Sequence, residues 1–296
     1  MPLSDFTVNK YTVAGLSQVN VIVGRNGCGK SSFLRALHQS YVAGEFSSSH
    51  YITPERGGVL QYQSSISDQL TADASFLYNS RTVNQLANFK HQTVSIFQTL
   101  ETTVHRRAED DNTVSPFKEI EAQINSLLDQ VATRRSGSAF ELVSKTTGDK
   151  IQPVHVSSGE SELLSIAIDV TAFAEKLSED QEAILLFDEP DVHLHPDLQV
   201  ELVSFVHRQQ QAKPFTIVIA THSTAILSAL GKIPGAAVCF MSAGDTQLNF
   251  KSIDDVLKNI LPVFGAHPLT QIFVDDRILL LEGDDDARIW QQVVQS

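Results

Sequence analysis

Apolar residues recur along the chain with two different spacings, and these spacings predict alternating strands and helices. Four short runs are almost uniformly apolar: residues 19–23, 183–187, 215–220 and 236–241. Such runs are typical of strands that are buried on both faces of a sheet. Between them, apolar residues return every three or four positions, as at Phe33, Leu34 and Leu37, which is helical spacing. The alternation predicts an α/β fold with a mainly parallel sheet flanked by helices.

A different pattern fills residues 65–136, which are rich in Gln, Asn, Ser and Thr. Apolar residues lie there at helical intervals in two groups, Val94, Phe97 and Leu100, then Ile120, Ile124, Leu127, Leu128 and Val131. This spacing predicts a helical insertion, with a short antiparallel pair of helices broken near residues 110–116.

Beyond the insertion the chain returns to strand patterns. Residues 140–143 and 151–156 predict a hairpin through Thr147–Asp149. We therefore expect four segments: residues 1–64 and 137–275 as the two halves of the α/β unit, 65–136 as the helical insertion, and 276–296 as the start of a further domain.

The composition narrows the class of protein. Apolar residues make up 42% of the chain, and no apolar run approaches the roughly 20 residues that a helix needs to span a membrane. Residues 1–10 lack the layout of a signal peptide, and the chain has two cysteines, Cys28 and Cys239. We therefore expect a cytoplasmic protein with no membrane segment and no disulfide framework.

The charge balance is acidic, with 22 Lys and Arg against 35 Asp and Glu and a net charge of −13. A protein that coats nucleic acid normally carries the opposite sign, so the charge does not support DNA binding. Local strips can still attract DNA. The two candidate strips, residues 105–107 and 134–135, are interpreted as solvated helix faces, and DNA as a partner stays open.

A glycine-rich segment, Gly24–Ser31, fits the pattern G-x-x-x-x-G-K-[ST] and lies between a predicted strand and a predicted helix. Glycines let the backbone curl so that its N–H groups point at phosphate oxygens, and the next helix directs its positive end at the same anion. Lys30, counted with the catalytic residues, would neutralise the β- and γ-phosphates, and the Ser31 hydroxyl would bind Mg²⁺. The predicted ATP-binding residues of this loop are Asn26, Gly27, Cys28, Gly29, Lys30, Ser31 and Ser32. Cys28 is interpreted as a small residue facing the phosphates rather than a redox group.

Two carboxylates end the apolar run Ile184–Phe187, and they predict the hydrolytic centre. Asp188 can hold the Mg²⁺ shell, while Glu189 can polarise the attacking water as a general base. The next apolar run leads to His222, and neighbouring parallel strands end at the same edge of a sheet, where ligands bind. We therefore expect His222 to reach the γ-phosphate. A zinc site at His193–His195 is disfavoured, because companion ligands at suitable spacing are missing.

The segment Val156–Glu162 comes just before a long predicted helix, residues 163–174, and before the two carboxylates. In this order it resembles the signature motif of the ABC-ATPase superfamily, which in transporters reads Leu-Ser-Gly-Gly-Gln. The departures from that motif are Val156, Ser158 and Glu160. The resemblance implies a P-loop NTPase of the ABC-ATPase head type, in its soluble SMC- and RecF-like branch.

The same resemblance implies a homo-oligomer that is at least a head-to-head dimer. In the superfamily the signature binds the γ-phosphate held by the opposite subunit, so Ser157 and Gly159 would act in trans. Glu160 joins the nucleotide-binding set, Asp191 would lie in the D-loop at the dimer seam, and His222 corresponds to the switch histidine. The nearest candidates for the Q-loop glutamine, which the pattern leaves unassigned, are Gln61 and Gln63.

Two further stretches, Asp188–Pro196 and Tyr51–Gly58, resemble OLD-type ATPases and the ATPase of the PARIS anti-phage system. Near the end, Arg277–Asp286 is similar to the first strand and the metal-binding Glu282 of a TOPRIM nuclease domain. The later acidic pair of a TOPRIM site is absent, which leaves open whether the chain is a fragment of a longer protein. Alternatively, Glu282–Asp286 simply caps a last helix with acidic residues.

These features predict an enzyme that closes two copies around ATP and hydrolyses it to control an effector. The resemblance implies a TOPRIM-type nuclease, as an attached domain or a partner, and a trigger protein in anti-phage defence. A second hypothesis is an ATP-dependent oligomeric scaffold or sensor with little turnover. A third is a DNA-repair ATPase of the RecF or SMC kind, which the short insertion and the acidic charge weaken.

Overall fold

A computed structural model describes residues 5–40, 48–54, 60–73, 76–82, 89–137, 139–178, 182–254 and 256. The chain divides into one compact unit, Met1–Ile253, and a second unit, Asp254–Ser296, and all described elements lie in the first. Its strands are β1 (Phe6–Val8), β2 (Tyr11–Ala14), β3 (Val19–Val23), β4 (Ser48–Ile52), β5 (Val131–Ser136), β6 (Ala139–Ser144), β7 (Lys150–Ile151), β8 (Ala183–Asp188), β9 (Thr216–Thr221), β10 (Ala237–Phe240), β11 (Gln247–Asn249) and β12 (Lys251–Ser252). Its helices are α1 (Lys30–Ser40), α2 (Ser64–Ala72), α3 (Phe76–Thr82), α4 (Phe89–Asp110), α5 (Phe117–Ser126), α6 (Ser158–Lys176), α7 (Pro196–Ala212) and α8 (Thr224–Gly231).

The central sheet has six strands in the order β12-β10-β3-β9-β8-β4. The five strands from β10 to β4 run parallel, and β12 pairs with β10 antiparallel. Every residue of β8 and of β9 is buried, which explains why both strands are apolar on both faces. The predicted α/β fold with a mainly parallel sheet is confirmed.

The parallel strands end at one edge of the sheet, and this edge positions the site. β3 leads into Gly24, β8 into Glu189, β9 into His222 and β10 into Met241. The strand register places Asp188 beside Ala220, at the ends of neighbouring strands.

Helix α6 lies at the centre of the helical layer. Its residues from Glu160 to Ala174 are all buried, because it packs against α4, α5 and α7. A helix covered on all sides needs apolar residues around its whole circumference, and α6 has them over most of its length. No helix in the described part of the chain is long and apolar enough to cross a membrane.

The insertion contains the predicted helices but does not end as predicted. Helices α4 and α5 confirm the break near residues 110–116. The helical assignment of Val131 is wrong, because Val131 opens β5, which pairs antiparallel with β6. Val131 follows Leu127 at a helical interval, but burial alternates along the start of β5, with Val131 and Thr133 inside. That alternation is the period of a strand.

The predicted hairpin forms, but its second strand is shorter than predicted. β7 pairs with β6 over two residues and stops at Ile151. Residues Pro153–His155 form a 3₁₀ turn instead of continuing the strand. Pro153 has no N–H to donate to a sheet, so the strand prediction over 152–156 is wrong.

A second small sheet, in the order β1-β2-β11, packs its buried side chains into the same core as α1 and the central sheet. Three predictions near the C-terminus fall on Arg277–Leu281, Glu282–Asp286 and the boundary at residue 276. All three lie outside the described residues, as does the second half of the Tyr51–Gly58 stretch.

Candidate nucleotide-binding site

Glycine is needed in the glycine-rich loop for two reasons, the backbone conformation and close packing. Gly27 and Gly29 have φ values of 79° and 112°, which residues with a Cβ rarely adopt. Gly24 is required by close packing, because a Cβ there would lie 2.3 Å from the Met241 carbonyl oxygen at the end of β10. Helix α1 starts directly after the loop, with the Phe33 N–H donating to the Gly29 carbonyl at 2.9 Å.

The side chains of the loop differ in exposure. Asn26 and Ser32 are exposed, where a nucleotide could reach them, and Cys28 is buried in the core under the loop. The pattern had assigned all three to nucleotide binding. Cys28 was interpreted as a small residue that faces the phosphates, but its side chain packs into the core instead.

Lys30 points back at its own loop and at the base predicted for hydrolysis. Its Nζ donates to the Gly24 carbonyl at 2.8 Å and lies 3.6 Å from Glu189 Oε1, with 4% of the side chain exposed. A buried ammonium needs partners, and in this structure they are the loop carbonyl and a carboxylate. Phosphate oxygens entering the loop would compete for the same ammonium.

Asp188 is fully buried, and both of its carboxylate oxygens accept hydrogen bonds. The Ser31 hydroxyl donates to Oδ1 at 2.9 Å, and the Tyr51 hydroxyl donates to Oδ2 at 2.6 Å. The predicted magnesium residues Ser31 and Asp188, which are 157 residues apart in the sequence, are therefore in direct contact.

Tyr51 was not predicted as a site residue. It lies near the end of β4, opposite Leu186 of β8, and this register brings its side chain to Asp188. Burial raises the pKa of the Tyr51 phenol well above its ordinary value, and the neighbouring Asp188 charge raises it further. The phenol is therefore a proton donor to the carboxylate at neutral pH. The sequence held two signals: Tyr51 lies near the end of a strand that leads to the same sheet edge, and it opens the Tyr51–Gly58 stretch that resembles OLD-type ATPases.

Glu189 is held in a strained backbone conformation. Its φ of 48° is unusual for a residue with a side chain, and its N–H donates to the Ala220 carbonyl at 2.8 Å. Such strain costs on the order of 1–3 kcal/mol and clusters at functional sites. The turn directs the Glu189 carboxylate towards Lys30 and within 3.9 Å of His222 Nδ1.

His222 and Asp191 belong to the same cluster. His222 Nε2 lies 3.7 Å from Asp191 Oδ2, and the other Asp191 oxygen accepts from the Thr221 hydroxyl at 2.5 Å. Asp191 is nearly buried, whereas 54% of the His222 side chain is exposed. Glu189 and Asp191 lie at 3.9 and 3.7 Å from its two ring nitrogens, beyond hydrogen-bond distance, so the exposed ring can direct one nitrogen at a bound group.

A second link fixes the loop that follows Glu189. The buried Gln199 side chain donates to the Leu194 carbonyl at 2.9 Å and accepts from the Ser223 hydroxyl. Ser223 also caps α8 by accepting from the Ile226 N–H. The segment predicted as the D-loop is thus fixed from the end of β9.

The predicted signature residues lie at the start of α6. Ser157 is exposed and caps the helix, with its Oγ accepting from the Glu160 N–H at 3.2 Å. Gly159 lies against the loop after Glu189. A Cβ built on Gly159 would lie 3.1 Å from Leu198 Cδ1 and 3.5 Å from the His193 carbonyl oxygen, which shows how closely the two segments pack. The signature and the D-loop segment are therefore neighbours in one chain.

Glu160 binds the backbone at the end of the insertion. It is buried, and its Oε1 accepts from three backbone N–H groups, those of Asp129, Gln130 and Val131, at 3.0, 2.8 and 3.4 Å. This placement favours a role in holding the end of the insertion to α6 over direct contact with nucleotide. The sequence signal was present, because Ser157 and Glu160 match the S-x-x-E capping box.

Some predicted residues do not join the cluster. Among the described residues, no hydrogen bond or ion pair links Ser157 or Glu160 to the cluster around Lys30 and Asp188. The two glutamines considered for the Q-loop contact α4 instead. His91 Nδ1 lies 2.7 Å from the Gln61 carbonyl, and its Nε2 lies 3.3 Å from the Gln63 amide.

The basic strip at residues 134–135 lies on β5, not on a helix face. Arg134 pairs with Glu141 at 2.7 Å, and Arg135 pairs with Glu101 at 3.1 Å. At residues 105–107, His105 lies 3.6 Å from Glu101. Both strips are therefore partly neutralised within the chain.

No zinc-type group forms at the two histidines of the D-loop segment. His195 lies 3.3 Å from Asp197, and both side chains are exposed. Across the described residues, no three His, Cys, Asp or Glu side chains form a group that could hold a metal ion.

The groups at the sheet edge fit a magnesium nucleotide. A hydroxyl and a carboxylate, from Ser31 and Asp188, are the hard oxygen ligands that Mg²⁺ prefers. Lys30 and the start of α1 lie beside them and suit phosphate. Fold and site together define the class of protein: this is a P-loop ATPase with a mainly parallel α/β sheet.

Comparison with protein families assigns the chain to a family within this class. The family described as "AAA domain, putative AbiEii toxin, Type IV TA system" matches residues 70–228, more than half of the 296 residues. The chain therefore belongs to this AAA-domain family. The matched region contains the signature segment, the Asp188–Glu189 pair and His222, while the glycine-rich loop precedes it.

Two other comparisons were made. A crystal structure of the SmcHead bound to the C-winged helix domain of ScpA is similar at 15% sequence identity, with a TM-score of 0.46, and the match covers 85% of this chain and 97% of that chain. No curated protein matches the chain.

Proposed function

We propose that this protein binds and hydrolyses ATP at composite sites formed between two copies, and that this cycle controls a nuclease effector in anti-phage defence. The observation that carries the enzymatic part is the contact cluster at the sheet edge. Lys30, Ser31, Asp188, Glu189 and His222 come from distant parts of the sequence and meet there.

ATP binding would begin with an exchange of partners at Lys30. The ammonium leaves the Gly24 carbonyl and Glu189 and neutralises the β- and γ-phosphates, which carry more charge than one carboxylate. Glu189 is then released from its ion pair and can accept a proton from water. The strained turn keeps its carboxylate beside the phosphate position.

Ser31 and Asp188 would hold Mg²⁺, which would supply positive charge to neutralise the phosphate oxygens during hydrolysis. Tyr51 and Ser31 fix the Asp188 carboxylate by hydrogen bonds. His222, which lies between Glu189 and Asp191, is exposed enough to donate to the γ-phosphate.

The dimer part of the proposal rests on the exposed Ser157 at the start of α6. A helix start favours an anion, and the cap leaves the Ser157 side chain at the surface. The resemblance to the ABC signature supports a partner's γ-phosphate as that anion. Asp191 lies on the same loop as His193, whose carbonyl is close to Gly159. It would then lie near the contact between the two copies.

The defence role is supported by the description of the matched family and by the sequence resemblance. The matched family carries the description of a toxin in a type IV toxin–antitoxin system, and the sequence resembles OLD and PARIS ATPases. The resemblance to the PARIS ATPase implies a system in which the ATPase holds its effector until a trigger protein arrives. The nuclease would be a TOPRIM-type domain or a partner protein.

The proposed function is tested by ATP turnover measured against protein concentration, with mass followed by light scattering. For the wild type we expect specific activity to rise with concentration as dimers form. Glu189→Gln should lower turnover by about 10²- to 10⁴-fold, because it removes the general base, while it retains ATP and accumulates as a dimer. Lys30→Ala serves as the variant that loses ATP binding.

Two outcomes would contradict the proposal. Unchanged ATP affinity and turnover in Lys30→Ala would remove the assignment of the loop. Negligible wild-type turnover at every concentration, with an oligomer that forms regardless of nucleotide, would favour the scaffold hypothesis.

A further inference from the structure

Asp188 is bound by a second hydroxyl that the ATPase motifs do not include. Ser31 occupies Oδ1, and the Tyr51 hydroxyl, 137 residues away in the sequence, occupies Oδ2 at 2.6 Å. A carboxylate fixed at both oxygens cannot rotate about its Cβ–Cγ bond without breaking one of the two bonds.

The Tyr51 ring is held firmly enough to act as a fixed support. It is 2% exposed and belongs to the core cluster beneath the central sheet. Its face stacks on the His38 ring at 5.7 Å, and His38 Nδ1 lies 2.7 Å from the Ser49 hydroxyl on the same strand as Tyr51. Strand pairing with β8 fixes the backbone of Tyr51 relative to Asp188.

We propose that Tyr51 is a positioning residue for the metal of the ATPase site. It holds Oδ2 of Asp188 so that the carboxylate faces the Mg²⁺ position through Oδ1 alone, beside the Ser31 hydroxyl. The inference rests on the proposed ATPase function and deepens it. Groups that hydrogen-bond a metal ligand fix its orientation, and their loss typically costs about 10- to 100-fold in metal affinity or activity.

The inference assigns a specific role to the hydroxyl of Tyr51, separate from that of its ring. Tyr51→Phe keeps the ring, its stacking on His38 and its volume, and removes the hydroxyl that donates to Oδ2 and that Arg35 also hydrogen-bonds. The freed carboxylate can turn or bind in other modes, so Mg²⁺ should bind less tightly. Lys30 and the glycine-rich loop are untouched, so ATP should still bind without metal.

The test compares ATP affinity with and without Mg²⁺ in the wild type, Tyr51→Phe and Tyr62→Phe. Tyr62 is 45% exposed and serves as the matched loss of a hydroxyl outside the site. For Tyr51→Phe we expect metal-free ATP affinity within about twofold of wild type, and a Mg²⁺ half-saturation raised by about 10- to 100-fold. Excess Mg²⁺ should restore turnover, and Tyr62→Phe should behave as wild type.

A purely structural role predicts a different result. If Tyr51→Phe lowers thermal stability or turnover while its Mg²⁺ half-saturation stays at the wild-type value, the inference is wrong. If Tyr51→Phe does not fold, Tyr51→Met fills the space with a flexible apolar chain and allows the same comparison. A wild type that binds no ATP overturns the proposed function and this inference together, whereas wild-type Mg²⁺ dependence in Tyr51→Phe overturns this inference alone.

Discussion

The sheet edge and the start of α6 both carry ATPase motifs, but they use their residues differently. At the sheet edge, Glu189 contacts both Lys30 and His222, and the adjacent Asp188 contacts Ser31, all within one chain. At the start of α6, Ser157 and Ser158 are exposed, while Glu160 is buried and engaged with the insertion.

This difference shows that neighbouring positions in one motif can have separate roles. A buried carboxylate that accepts three backbone N–H groups holds a structure together, because leaving those groups without a partner would be costly. Ser157 is exposed, so a ligand can reach its hydroxyl, which bonds the N–H and the carboxylate of Glu160 in this chain. In the proposed function, the sheet edge would supply one half of the ATP site, and the α6 start would meet a nucleotide held by a second copy.

Of the substitutions that separate the roles of the α6 residues, we expect Glu160→Ala to have the largest effect on stability. Glu160→Ala leaves three backbone N–H groups at the end of the insertion without their acceptor, so the free energy of unfolding should fall by about 3–5 kcal/mol. Glu160→Gln keeps one acceptor oxygen and should cost less. Chemical denaturation measures both, with the exposed Glu201→Ala as the control.

The structural role of Glu160 would be contradicted if its replacement left the stability unchanged and abolished turnover. A Glu160→Ala variant as stable as Glu201→Ala, but with lost turnover, would assign Glu160 to the nucleotide. Metal-free ATP binding should be retained in Glu160→Gln, because no contact joins Glu160 to the glycine-rich loop among the described residues.

A smaller effect on stability is expected at Ser157. Ser157→Ala removes the cap of α6 and should lower the free energy of unfolding by about 1 kcal/mol. Turnover should fall far more than this loss explains, because the hydroxyl would contact the partner's phosphate. Ser158→Ala, at the next exposed position, is the matched control. Turnover equal to that of Ser158→Ala would leave Ser157 with a capping role only.

The sequence was sufficient to predict the sheet and the residues at its edge. The runs that became β3, β8, β9 and β10 are buried on both faces, so their apolar patterns were unambiguous. Parallel strands end at one edge, and this rule alone was enough to expect Asp188, Glu189 and His222 together.

Two features depended on contacts that a local pattern cannot reveal. Tyr51 reaches Asp188 only because β4 pairs with β8 in one particular register, and β4 itself is polar at Ser48, Ser49 and His50. Val131 continued a helical spacing, but pairing with β6 fixed it in a strand. Glu160 is different, since Ser157 and Glu160 match a capping-box pattern in the sequence, whereas its assignment to nucleotide binding came from the resemblance to the ABC signature alone.

The central claim is that each ATP site combines the sheet edge of one copy with the α6 start of another. The most direct test mixes two inactive variants, Lys30→Ala, which damages the sheet edge, and Ser157→Phe, which blocks the α6 start. In a mixed dimer both defects fall on one site and the other site is intact. An equal mixture should therefore recover about a quarter of wild-type turnover under random pairing in a two-fold dimer. Lys30→Ala mixed with Glu189→Gln, both at the sheet edge, should recover none. A first mixture no more active than its separate components would contradict a site shared between two copies.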